Sequence, residues 1–209
     1  MDELNLIMPA VETSGDVSTM QLPDIDLYNY WNMYSNRILN IEGDITAWDY
    51  SIVKSIMQIN MADKSENPKP IIILIRSNGG LSNIMFSIIN AIQTSRIPVW
   101  TVNMGEALSA ACLIFLAGER RFTTPYSWAM AHSGSGEIQG TYAETQEAQK
   151  VWANEVKLMW DYIMERTNVD KKLCNKYKTK DWWINADQQI EYGFATDRLE
   201  SIQQLIEAV

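Results

Sequence analysis

The sequence predicts an α/β fold built on a parallel sheet, and three observations carry that prediction. Residues 71–75 (IIILI) are an unbroken aliphatic run between turn-forming stretches, SENPKP before and RSNGG after, the pattern of a strand buried on both faces. A second short β-branched and aromatic segment, 99–102 (VWTV), has the same character. Each is followed by a helical pattern, 84–92 after the first and 109–117 after the second. Strands alternating with helices at this spacing give parallel pairing through right-handed crossovers. A chain of 209 residues is long enough for one sizeable core and short for two.

Taken in order, residues 1–22 lack periodicity and carry Pro9 and Gly15, so they read as an arm or loop. Residues 24–35 (DIDLYNYWNMYS) read as an aromatic helix, and 37–41 (RILNI) as a strand closed by Glu42-Gly43-Asp44. Ile45, Trp48, Ile52, Val53, Ile56 and Met57 lie three and four apart, an amphipathic helix with Thr46 and Asp49 as its capping pair. After strand 71–75, residues 76–80 read as a turn, and Ile84, Met85, Ile88, Ile89 and Ile92 mark the next helix. Gly105 reads as the turn between strand 99–102 and helix 109–117, and 128–132 (WAMAH) as one more short strand. Residues 133–140 (SGSGEIQG) are Gly-rich and extended or looped. Residues 141–168 form the longest helical pattern, with one apolar seam at Trp152, Val156, Met159 and Ile163 and a second at Val151, Leu158 and Tyr162. A helix apolar on two sides needs two partners, one of which can be another subunit. Finally, 185–193 reads as a short helix with Asn185 as N-cap, Gln188 at the capping-box position and Gly193 as its stop.

Composition narrows the function classes. A net charge of −9, a single His and no basic block argue against nucleic acid or an anionic membrane as partner. The longest apolar run, 107–118, is far below the roughly 20 residues of a membrane span. The N-terminal stretch MDELNLIMPAV has no basic region, so it does not read as a secretory signal, and the cytoplasm is the expected compartment. Two cysteines are too few for a disulfide framework, and Cys112 reads as a small core residue. Eight Trp and eleven Met hint at apolar contact surfaces between subunits.

The chemistry centres on 105–118 (GEALSAACLIFLAG), where Ser109 falls at the start of a helix. Helix N-termini present unpaired N–H groups and a partial positive charge, so a serine oxygen there is exposed and an oxyanion beside it meets donors. Taken alone, Ser109 reads more readily as an N-cap before a core helix, and the stretch is not a G-x-S-x-G elbow because Ala107 and Ala111 hold the two Gly positions. A nucleophilic serine needs a base, and the one imidazole is His132, at the end of a strand. Strand ends of a parallel sheet are where ligands collect, and the Ser77-Asn78-Gly79-Gly80 turn ends at the same edge. Two adjacent glycines allow backbone N–H groups to face a substrate. Spacing does not choose the orienting acid among Asp161, Asp170, Asp181, Asp187 and Asp197.

Five segments, RILNIEGDI (37–45), RSNGG (76–80), GEALSAACLIFLAGERRFTTP (105–125), AMAHSGSGEIQG (129–140) and KDWWINADQQIEYG (180–193), resemble the proteolytic subunit of Clp proteases, ClpP, in order and spacing over residues 24–199. The resemblance implies a crotonase-like, ClpP-like fold of repeated ββα units wound as a superhelix, with a protruding handle helix. It implies an N-terminal arm or axial loop (1–23) and one serine peptidase domain (24–209) whose handle segment is 133–167. By it Ser109 matches the nucleophile, His132 the base and Asp181 the acid; Gly80 and Ala110 match the oxyanion-hole donors. Gly79, Ser133, Gly134, Ser135 and Gly136 match positions that bind substrate backbone as an added strand. The partners implied are polypeptide substrates, further copies of the chain in two stacked seven-membered rings, and a separate AAA+ unfoldase of ClpX, ClpA or ClpC type. ATP is spent by that unfoldase; this chain needs no cofactor and has no G-x-x-x-x-G-K-[ST] loop. The departures are Asn78 where the family has Pro, Leu108, Ala110 and Ala111 around the serine, and Ser133-Gly134 after the histidine. They suggest a divergent member. The alternatives are a viral head-maturation protease that cuts scaffold protein without ATP, and an inactive ring subunit.

Overall fold

The computed structural model describes residues 25–208. The arm at 1–23 lies outside the described residues. Helix α1 (Ile25–Ser35) leads through Arg37 into strand β1 (Ile38–Ile45), a 3-10 turn (Ala47–Asp49) and α2 (Tyr50–Ala62). Thr46 and Asp49 form the expected capping box, on the 3-10 turn. Then follow β2 (Ile71–Gly80), α3 (Ser82–Thr94), β3 (Val99–Leu108), α4 (Ala110–Ala117), β4 (Arg120–Thr123) and β5 (Trp128–Ala131). The chain continues through α5 (Tyr142–Arg166), α6 (Lys171–Tyr177), β6 (Trp182–Asn185), α7 (Ala186–Glu191), β7 (Asp197–Arg198) and α8 (Gln203–Ile206).

The strands form one seven-stranded sheet in the order β1-β2-β3-β4-β7, with β5 and β6 branching from β3. All pairings are parallel except β5 with β6. Strand β3 changes partner along its length. Residues 100–103 pair with β4, and residues 106–108 pair with β5. The α/β fold expected from the aliphatic strands is therefore present. Alternate residues of β2 serve two cores: Ile71, Ile73 and Ile75 pack under α2, α3 and α4, whereas Ile72 joins Val102, Phe122, Leu199 and Leu205 on the opposite face. All eight residues of α4 are buried, so this helix is the centre of the larger core. Each of its larger side chains contributes about 1.5–3 kcal/mol by leaving water.

Three expected turns are strand. Residues 42–44, 76–80 and Gly105 lie within β1, β2 and β3. The ladders continue through them as Asp44↔Gly79, Ile45↔Gly80 and Ser77↔Ala107, with register shifts that absorb the irregular residues. Pairing on both sides of β2 overrides the local turn preference of Gly and Asn. Strands β4, β6 and β7 and helices α6 and α8 went unread in the sequence, being two to seven residues long and without periodicity. Helix α5 has its N-cap at Thr141, in a capping box with Glu144. Its first seam holds: Met159 and Ile163 are buried and Trp152 and Val156 half-buried. The second seam does not. Val151 and Leu158 are exposed, but Tyr162 packs on the main core and its hydroxyl accepts from Gln93 Nε2. Trp160, in neither seam, is fully buried.

The C-terminal end of α5 is fastened to α4. Arg166 donates to the carbonyls of Leu116, Ala117 and Gly118, the last turn of α4, where a cation also opposes the negative end of the helix dipole. The buried Arg121 donates to Gly118, Gly193, Phe194 and Arg166 carbonyls, and burial pulls its guanidinium down to about 10. Among the described residues, no helix is long and apolar enough to cross a membrane.

Candidate active site

Ser109 is the single residue between β3 and α4. Its φ of 55° and ψ of −122° make a sharp strand-to-helix turn that a residue with a Cβ rarely adopts. Its N–H donates to Met130 O at 2.8 Å, which pins the turn to β5. Ser109 holds the N-cap position, but its side chain makes no capping bond. Instead Oγ lies 2.7 Å from His132 Nε2. A turn of elbow type thus forms without the two flanking glycines; the small, buried Ala107 and Ala111 stand in their place.

Sheet register brings the other groups to this point. The pair Leu108↔Met130 aligns β3 with β5, so Ser109 and His132 leave the sheet side by side. The antiparallel pair Ala131↔Trp182 aligns β5 with β6, and one further step along that ladder sets His132 opposite Asp181. Trp182 keys β6 in place: it is buried and stacks on Tyr177 at 4.6 Å and 5°. Its neighbour Trp183 points the other way, against Trp128. His132 Nδ1 is 3.6 Å from Asp181 Oδ1, longer than a hydrogen bond, and the Asp181 side chain is 56% exposed. The four other candidate acids are engaged elsewhere. Asp161 pairs with Lys157, Asp187 with Arg198 and Asp197 with Arg120, and Asp170 caps α6.

Gly79 and Gly80 end β2 beside the serine, with φ of 96° and 151°. A Cβ on Gly79 would lie 2.7 Å from Ser109 Cβ and 2.9 Å from Ala110 N; one on Gly80 would strike the Ile45 backbone at 2.2 Å. Only glycine permits this close approach. Gly79 N–H donates to Ser77 Oγ, a buried hydroxyl that holds the irregular end of β2. Asn78 Nδ2 donates to Asp44 Oδ1 at 3.3 Å. These residues, with Ala110, His132 and 133–137, line a cleft of about 690 Å³ whose far wall is α5.

Residues 132–141 form no strand or helix. Ser133, Gly134, Ser135 and Gly136 line the cleft, and the Ser133 hydroxyl turns inward. It donates to Lys178 O at 2.6 Å and accepts from Trp160 Nε1 at 3.1 Å. Ser133 therefore ties the loop after His132 to α5 and to the segment that delivers Asp181. Beneath the site, Asn103 Nδ2 donates to Trp128 O and to Gln189 Oε1, and Asn103 Oδ1 accepts from Gly105 N–H. Trp160, Asn103 and Gln189 were not singled out by sequence; a buried polar side chain is recognisable only once its partner is known. A hydroxyl in contact with an imidazole, beside backbone N–H groups at a helix start, is suited to nucleophilic attack on a carbonyl.

Comparison with known proteins follows the same direction. The model of the family described as Clp protease matches residues 24–201. The ATP-dependent Clp protease proteolytic subunit 2 of Treponema denticola is 35% identical over 143 residues, 67% of this chain and 71% of that protein. The corresponding subunit of Carsonella ruddii is 30% identical over 171 residues, 81% of this chain and 86% of its own. A ClpP1 mutant from Listeria monocytogenes superposes with a TM-score of 0.74 at 23% identity, covering 85% of this chain and 99% of that one.

Proposed function

The chain belongs to the Clp protease family of peptidases, and from that premise we propose that it is a serine endopeptidase acting on unfolded polypeptides through Ser109, His132 and Asp181. The observation that carries this reading is the 2.7 Å contact between Ser109 Oγ and His132 Nε2 at the strained turn before α4. His132 takes the hydroxyl proton as Oγ attacks the scissile carbonyl, and the oxyanion meets the N–H groups of Gly80 and Ala110. His132 then passes the proton to the leaving amine, and water enters by the same route to release the acyl group from Ser109. Asp181 accepts from His132 Nδ1–H and fixes the tautomer once the 3.6 Å contact shortens around a bound substrate. The substrate backbone lies along 133–136, with Gly79 on its other side.

The relatives are named as parts of an ATP-dependent protease, which favours a separate AAA+ unfoldase of ClpX, ClpA or ClpC type as the consumer of ATP. Two stacked seven-membered rings of this chain would enclose the site, in the cytoplasm. An activity-based fluorophosphonate tests the reading: peptide mapping should find the label on Ser109 alone, and Ser109→Ala should abolish both labelling and peptide cleavage. Label on Ser77 or Ser135, or none, would overturn it.

A further inference from the structure

Three carboxylates line the cleft, Asp44, Glu137 and Glu155, and the chemistry above uses none of them; Asp44 accepts from Asn78. Glu155 of α5 faces the cleft one turn beyond Trp152 and one turn before Met159. Across from it stands Ser82, the first residue of α3, whose Oγ donates to Glu155 Oε2 at 3.4 Å. The start of α3 carries the positive end of its helix dipole on that side of the cleft. Glu155 Oε1 has no hydrogen-bond partner among the described residues. The surrounding walls are Met85 and Met159, both buried, and the half-buried Trp152. No lysine or arginine lines the cleft among the described residues.

The position of this pocket along a substrate follows from the chain. Gly80, Leu81 and Ser82 are consecutive, so the pocket begins two residues from the backbone N–H assigned to the oxyanion. It is therefore the pocket beside the attacked carbonyl. We propose that Glu155 makes this pocket selective for lysine or arginine as the residue whose carbonyl Ser109 attacks. A long methylene stem lies against the thioethers of Met85 and Met159, and the cationic head reaches the free oxygen of Glu155 with the Trp152 ring beside it. An acidic side chain in the same place meets like charge, and a short apolar one leaves Glu155 without a counter-ion. This inference rests on the serine-peptidase reading.

Its test is a set of fluorogenic peptides identical except for lysine, arginine, norleucine, leucine or glutamate at that residue, cleaved by the assembled protein. The wild type should show a kcat/KM at least roughly tenfold higher for lysine than for the near-isosteric norleucine, the scale of one charge pair in a partly desolvated site. Glu155→Gln should bring that ratio near one, and Glu155→Lys should invert the order of lysine and glutamate. Diphenyl phosphonates with the same side chains, scored by labelling of Ser109, give the order without turnover. Labelling of Ser109 with a wild-type preference for norleucine or leucine would overturn the inference alone. So would a lysine preference that survives Glu155→Gln. Absence of any labelling at Ser109 would overturn the serine-peptidase reading, and this inference with it.

Discussion

Asp181 is the most exposed member of the constellation, with its Oδ1 3.6 Å from His132 Nδ1, while the dyad of Ser109 and His132 is already closed. In the proposed mechanism an acid held this loosely orients the imidazole once the contact shortens, so its effect belongs in kcat more than in KM. Asp181→Asn should lower kcat by roughly 10³- to 10⁴-fold, and Asp187→Asn, already paired with Arg198, by less than about twofold. Equal losses in the two variants, measured by initial rates on one peptide, would move the acid away from Asp181. The histidine was legible because the chain has one, and the serine because a glycine-bounded apolar run follows it. The acid was not legible from spacing: five aspartates follow His132, and only the register of β5 with β6 separates them. Ser133 shows the reverse case, a residue that the resemblance matches to a substrate-binding position but whose hydroxyl is consumed by Trp160 and Lys178.

Elements announced themselves in proportion to their length and periodicity. Helices α2, α3 and α5 stood out through apolar residues three and four apart, and β2 through its aliphatic run. What escaped was decided by partners: β6 exists because β5 is beside it, and β3 runs past Gly105 because Asn103 and two flanking ladders carry it. Tyr162 in α5 is another such case, half-buried against the core although its spacing put it on the outer seam. Burial pushes its phenol up to about 12, against an ordinary value of about 10. The fold thus favours the neutral phenol, a stabilisation fully present below pH about 10 and lost between about 10 and about 12, on the order of 2 kcal/mol in all. Denaturant midpoints recorded across that range should fall less steeply for Tyr162→Phe than for the wild type. Parallel slopes would show that the phenol does not titrate with the fold.

At the scale of the whole molecule, α5 is fastened at its C-terminal end and bare at the other. Residues 142–158 contribute no fully buried side chain, and Val151 and Leu158 are each 57% exposed. Burying such a side chain is worth about 1.5–3 kcal/mol, so a facing copy of the same helix gains from covering the stripe. If rings stack through α5, Val151→Lys with Leu158→Lys should halve the particle mass in sedimentation and depress peptide cleavage together, since Trp152 and Glu155 on the same turns wall the cleft. An unchanged particle with full activity would assign the stripe no part in assembly.

The divided pairing of β3 has a consequence for how this chain can change length. Its first half is measured against β4 and its second against β5, so the core and the nucleophile are set out along one ruler. Side chains alternate with a period of two, and a single inserted or deleted residue between 103 and 106 would turn over everything downstream. Leu108 would exchange faces, and Ser109 would meet the wrong side of β5. The loop at 63–70, by contrast, lies outside every ladder and can vary in length without moving either end of the ruler. Insertions and deletions are therefore expected to be tolerated around the sheet and forbidden along this one strand.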